Sequence, residues 1–244
     1  MDERERASSF LNRDPVYYAN LLEVLRRGSA EHLTAADGGV VLRDRDSGSW
    51  MFALEPGSEW LLELIPDDAD LITGHASWCL PLLKRRLGLR GVKIVHSAAW
   101  TRPAPPAPRD FGGELRLLDQ AWAPWAVEHY SGDFGGLPYM EGVVERGLLG
   151  AFVDGQPAGF VGFHEEGSIG LLEVLPAFRR RGIGEALEIG AIRLALSRGQ
   201  YAFGQVVAGN GPSLALQARM GLSVSKRTLF WLFPPGLDTS SFPC

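Results

Sequence analysis

The most constraining stretch of this chain runs from Leu171 to Gly184. It reads as an apolar strand broken by Glu173, a stop at Pro176, a basic turn of Arg179, Arg180 and Arg181, and two glycines, Gly182 and Gly184, opening a long apolar-periodic run. A helix N-terminus offers unpaired N–H groups and a partial positive charge, which suits a phosphate. Gly182 and Gly184 keep side chains out of the way, so backbone can approach a pyrophosphate closely. The three arginines add local positive charge to a chain of net charge −5. The expected ligand is a nucleotide-type diphosphate. Two common diphosphate motifs are excluded: no G-x-x-x-x-G-K-[ST] occurs, and Leu187 stands where a G-x-G-x-x-G fingerprint needs its third glycine.

The surrounding periodicity predicts a β-α-α-β-β-β-α-β-α-β order. Strands are expected at Phe111 to Leu118, Leu148 to Val153, Phe160 to His164, Ser168 to Leu175, Phe203 to Ala208 and Thr228 to Phe233. Helices are expected at Ala121 to Tyr130, Pro138 to Arg146, Ile183 to Arg198 and Ser213 to Met220. Turns fall at Asp154-Gly155-Gln156-Pro157 and Glu165-Glu166-Gly167.

Arg179, Gly182 and Gly184 give R-x-x-G-x-G, placed after V-x-P (Val174, Pro176) and before a helix. This resembles motif A of the GNAT superfamily of acetyl-CoA-dependent N-acyltransferases. A second stretch, Gln205 to Leu222, is similar to motif B: Asn210, Ser213, Leu216 and Gly221 match, and Leu222 stands in for a phenylalanine. The resemblance covers about residues 111–233 and implies an α+β fold with a mixed sheet. It is closest to the glycine N-acyltransferase-like branch, in which a degenerate GNAT half precedes a working one. It further implies acyl transfer from acetyl-CoA to a primary amine, without a metal. The loop Arg179 to Gly184, including Ile183, would cradle the CoA pyrophosphate. The strand through Leu172 and Val174 would pair with the pantetheine arm, and the Leu172 N–H would polarise the acyl carbonyl. Asn210 and Ser213 would sit at a helix entrance near the pantetheine amides.

This sequence also departs from the family pattern. The motif B position that commonly carries a tyrosine acid is Gln217, too weak an acid for a thiolate. Counting eight residues back from Pro176, where many members hold a carboxylate, gives Ser168. Glu173, the one carboxylate in the donor strand, is read as the general base, set against a structural role as partner of an arginine. His164, Glu165 and Glu166 follow as candidates, although the two glutamates are expected on a solvated turn. Trp122, Trp125, Tyr130, Phe134 and Tyr139 would form either an acceptor pocket or ordinary core. A non-catalytic acyl-CoA-binding sensor is the rival reading, and an aminoacyl-dependent transferase a third.

Four prolines between Pro103 and Pro108 forbid a helix or central strand, so residues 103–110 are expected to run extended between an N-terminal half, 1–102, and a catalytic half, 111–244. The first half echoes the second: a helix ending at Gly28, a hairpin turning at Asp46-Ser47-Gly48, and Trp78 to Leu87 as a counterpart of the helix after Gly184. It carries no R-x-x-G-x-G, so no second CoA site is expected. Lys and Arg number 13 against 15 Asp and Glu up to Pro108, and 11 against 14 beyond it, which argues against nucleic acid as partner. The absence of an 18-residue apolar run, of a signal-like N-terminus and of a cysteine framework around Cys79 and Cys244 fits a cytoplasmic monomer or homodimer.

Overall fold

A computed structural model describes residues 2–89, 91–132 and 135–234. The first half contains helices α1 (Glu3–Leu11) and α2 (Ala19–Arg27), strands β1 (Ala30–Ala36), β2 (Gly39–Asp44), β3 (Trp50–Leu54) and β4 (Ile72–Gly74), helix α3 (Leu80–Leu87) and strand β5 (Gly91–Ala99). The second half continues with β6 (Glu114–Leu117), α4 (Ala123–His129), α5 (Gly136–Gly147), β7 (Leu149–Val153), β8 (Gln156–Phe163) and β9 (Ile169–Val174). It ends with α6 (Ile183–Ser197), β10 (Phe203–Val207), α7 (Gly211–Met220) and β11 (Ser223–Phe233). The order read from the second half is the order found, and the fold is the expected α+β class with a mixed sheet.

Local chemistry accounts for many of these boundaries. Asp2 and Glu5 form a reciprocal capping box that starts α1. Asp154 (φ 49°) and Gly155 (φ 74°) are both left-handed, which gives the β7–β8 hairpin the primed turn that matches strand twist. Asn210 caps α7, its side chain accepting from the Ser213 N–H at 3.1 Å.

The eleven strands of the described residues lie in one sheet, ordered β1-β2-β3-β4-β11-β5-β10-β9-β8-β7-β6. In each half two helices lead into an antiparallel meander, β1-β2-β3 or β7-β8-β9, whose last strand pairs in parallel with the next, β4 or β10. The final strands then cross over: β11 pairs with β4 and β5, and β5 pairs with β11 and β10. Each half's last strand therefore completes the other half's sheet. One face of the sheet carries α1–α2 and α4–α5; the other carries α3, α6 and α7. Val92 and Ile94 pack into the α3 core while Ala98, on the same face of β5, joins the α6–α7 core.

Two expectations are revised. Trp78 to Leu87 is not the counterpart of the helix after Gly184: α3 lies between β4 and β5, as α7 lies between β10 and β11. The place of α6, between β3 and β4, holds only a six-residue 3-10 segment, Glu59–Leu64, because Pro56, Gly57 and Pro66 punctuate the run. The Glu165-Glu166-Gly167 turn is only partly solvated, since α2 ends against it. Arg27 Nη1 donates to the Glu165 carbonyl at 2.6 Å, and Glu166 is buried, accepting from Ser168 Oγ. Residues 103–110 do run over the surface, but they are tied down at Pro106, whose carbonyl accepts from Arg193 Nη1 at 2.7 Å. Phe134 and Cys244 lie outside the described residues.

Candidate active site

Parallel strands β9 and β10 are registered only at Ile169↔Gly204. Beyond that point β10 stays paired with β5 through Val207, and β9 stays paired with β8 through Val174. The two strands therefore part, and the backbone edge of Gly170–Val174 faces a slot at the carboxyl ends of both strands. Helix α6 covers β8 and β9, and α7 packs on β11, so the slot opens beneath the seam between the two helices.

A bulge shapes the slot. Phe160 pairs with Glu173 but Gly162 with Gly170, so β9 holds one residue more than β8 over this interval. The extra residue is accommodated by Leu171, whose φ of 55° is left-handed and costs about 1–2 kcal/mol for a non-glycine residue. As a result Ile169, Leu172 and Val174 all pack toward α6, while Leu171 turns into the α4–α5 core. The shifted phase puts Glu173 on the α4–α5 face with Leu171. Strain of this kind persists where surrounding structure imposes it, often at functional sites.

After β9 the chain turns through Pro176–Phe178 into exposed Arg179, Arg180 and Arg181. Arg180 (φ 64°) and Gly182 (φ 79°) are left-handed. Gly182 stands at the N-cap of α6 with no side chain to satisfy the first-turn amides, which leaves that end open to an anion. Ile183 is buried and anchors the helix, and a Cβ on Gly184 would meet Val174 Cγ2 at 3.6 Å. Arg179 Nε donates to the Val174 carbonyl at 2.9 Å, and its Nη2 lies 3.5 Å from Glu173 Oε1. Arg181 sits over the Phe178 ring at 5.5 Å. One more cation arrives from the surface segment: Arg109 Nε lies 3.7 Å from where a Cβ on Gly182 would stand, and 3.9 Å from Glu185 Oε2. Seventy-three positions before Gly182 and outside any motif, Arg109 had no sequence signal. Next to it, a groove of about 490 Å³ opens between residues 103–107 and the α6–α7 pair, lined in part by Trp100, Arg102, Glu185 and Arg219.

The structure brings most of the sequence-predicted residues to this slot: Leu172, Glu173 and Val174 on β9, Arg179 to Gly184 around the helix start, Asn210 and Ser213 at the start of α7. Glu173 is buried, and its Oε2 accepts from the Ser131 N–H at 3.1 Å, just after α4. Trp122, Trp125, Tyr130 and Tyr139 pack in the same α4–α5 core, with Trp125 edge-on to Phe160. Tyr139 Oη and His164 Nδ1 are 2.6 Å apart, a pairing with no local signal in the sequence. Burial pushes the His164 imidazolium below its ordinary range and the Tyr139 hydroxyl above its own. Gln217 is buried, and its Nε2 donates to Glu188 Oε1 at 2.8 Å.

Residues 115–222 match the model of the acetyltransferase (GNAT) family. The fold is that of the GNAT acetyltransferases. A GCN5-related N-acetyltransferase from Kribbella flavida is 17% identical and superimposes with a TM-score of 0.55 over 93% of this chain and 97% of its own. The GCN5-related N-acetyltransferase from Sphaerobacter thermophilus is 21% identical, with a TM-score of 0.55 over 99% and 96% of the two chains. A Drosophila protein is 20% identical, with a TM-score of 0.63 over 81% and 74%. Comparison with curated protein sequences gives no match. Among the described residues no helix is long and apolar enough to cross a membrane, and no group of three metal-ligating side chains occurs.

Proposed function

We propose that the protein transfers an acyl group from acetyl-CoA to the primary amine of a small molecule or amino acid. The observation that carries this reading is the parting of β9 and β10 directly above the Arg179–Gly184 loop. The slot offers an unpaired strand edge to the amide-rich pantetheine arm, and the loop offers backbone N–H groups to its pyrophosphate. Leu172, just past the bulge, supplies an N–H to the acyl carbonyl oxygen, where negative charge grows during attack. The nucleotide end extends toward Arg109 and the groove under residues 103–107. Asn210 holds α7 in place as its cap; Ser213 contributes the capped N–H rather than its hydroxyl.

The acceptor enters from the α4–α5 face, where the carboxylate of Glu173 stands behind the aromatic cluster. Glu173 takes the amine proton as nitrogen attacks the thioester carbon. Its contact with Arg179 is compatible with this task, because the arginine is exposed and its 3.5 Å approach is long for a hydrogen bond. In this reading the N-terminal half is a degenerate copy that lends β5 to the catalytic sheet and takes β11 in return. The glycine N-acyltransferase-like branch and a cytoplasmic setting belong to the same proposal. A screen of primary amines with acetyl-CoA, following free thiol, tests it. Thiol release dependent on one class of amine supports transfer. Tight acetyl-CoA binding with no release for any amine favours the sensor reading.

A further inference from the structure

We propose that Glu188 is the group that protonates the departing thiolate, with Gln217 holding its carboxyl in place. This rests on the acyl-transfer reading above. Glu188 and Gln217 join α6 to α7 across the seam that roofs the β9–β10 slot. Glu188 lies one turn after Gly184, on the helix face that meets Val174 of the donor strand. Both side chains are at least nine-tenths buried, being 5% exposed each.

The hydrogen bonding of the pair is incomplete as a carboxylate–amide contact. Gln217 Nε2 donates to Glu188 Oε1, yet Gln217 Oε1 is buried with no hydrogen-bond partner among the described residues. A buried carbonyl oxygen left unpaired costs about 1–3 kcal/mol. A neutral carboxyl resolves this, since it carries an O–H that an amide oxygen can accept while its other oxygen receives the N–H. Burial raises the Glu188 acid above its usual range, and the Gln217 hydrogen bond only partly opposes that. The seam thus stores a proton on an acid much stronger than a glutamine amide, above the slot where the donor sulfur lies.

The amine nitrogen lone pair forms the N–C bond, and the C–S bond breaks with its electron pair passing to sulfur. Sulfur takes the Glu188 proton to give the CoA thiol, leaving Glu188 as carboxylate. The amine proton leaves to the base, and Glu188 recovers a proton from water once the product has gone.

Hydroxylamine is the test amine, because it is largely uncharged near neutral pH and isolates the acid step from the base. With acetyl-CoA, Glu188→Gln should lower kcat by ~10²-fold, within the usual worth of a positioned acid, with KM little changed. With 4-nitrothiophenyl acetate, whose thiol needs no proton to leave, wild type and variant should react alike. Introducing Gln217→Tyr into Glu188→Gln should recover at least ~10-fold of the lost kcat by restoring an O–H donor. A measurement on the wild type alone covers a variant that fails to fold: its rate should vary only weakly with the acidity of the donor thiol. A folded Glu188→Gln of full activity, equal losses with both donors, or a steep wild-type dependence overturns the assignment and leaves the acyl-transfer reading intact. No thiol release by the wild type with any amine overturns both.

Discussion

Glu173 Oε1 and Arg179 Nη2 lie 3.5 Å apart, so the proposed base is also the partner of the first arginine of the proposed phosphate loop. The two roles separate by mutation. Glu173→Gln keeps an oxygen to accept from the Ser131 N–H but removes basicity. Turnover with an amine that is protonated in solution should fall by ~10²–10⁴-fold while acetyl-CoA affinity stays nearly constant. Loss of affinity or of folding instead assigns Glu173 to charge pairing, and full activity moves the search to the His164–Tyr139 pair.

Gly159 of β8 lies so close to β9 that an added Cβ would stand 2.3 Å from the Glu173 carbonyl oxygen and 3.1 Å from Val174 Cα. Neither backbone atom can swing aside as a side-chain tip would. Gly159→Ala should destabilise the fold by about 1–3 kcal/mol and weaken acetyl-CoA binding by displacing the bulged strand. Denaturant unfolding and calorimetry read the two effects; unchanged values in both would show that β9 moves freely.

The strand exchange makes a prediction about the boundary between halves. Arg109 is exposed, and trypsin should cut after it first; Arg102 is exposed too, but the Arg102–Pro103 bond resists trypsin. The nicked fragments should nevertheless elute together in native chromatography, because β11 stays between β4 and β5. They should separate only in denaturant. Fragments that part in buffer would argue against the exchange.

Much of this was legible in the sequence, and the reasons are local. The turn at Asp154-Gly155, the Pro176 stop, the glycines before α6 and the Asn210 cap all act over a few residues, so element order and the position of the Arg179–Gly184 loop could be read locally. What escaped reading depends on distant pairing. No local pattern marks β11 as a partner of β4, because Phe230 and Leu232 are apolar whichever strand they meet. The bulge at Leu171 is set by its register against β8, and the burial of Glu166 by the end of α2. The nearness of Arg109 to Gly182 and of Glu188 to Gln217 are likewise products of the folded chain.

His75 gives the fold a pH dependence. It is buried between Tyr17 and Tyr18, and its Nε2 bonds to Asn20 Oδ1 at 2.9 Å. Burial, aided by the Arg227 guanidinium, pushes its pKa down from 6.5 to about 3. The unfolded chain therefore takes the proton first on acidification. This contribution to stability is full above about pH 6.5 and is lost as pH falls toward about 3, at up to ~1.4 kcal/mol per pH unit. His75→Gln should flatten that acid limb in urea titrations at several pH values. An unchanged limb would place the acid sensitivity in other groups.

Binding of acetyl-CoA to Gly182→Val, measured by calorimetry with circular dichroism as the check on folding, decides whether CoA sits on the Arg179–Gly184 loop. Valine is strained at φ 79° and puts a branched side chain where the pyrophosphate must approach the α6 amides. We predict a folded protein with no measurable acetyl-CoA binding beside a wild type that binds. Wild-type affinity in folded Gly182→Val would contradict the placement of CoA on this loop.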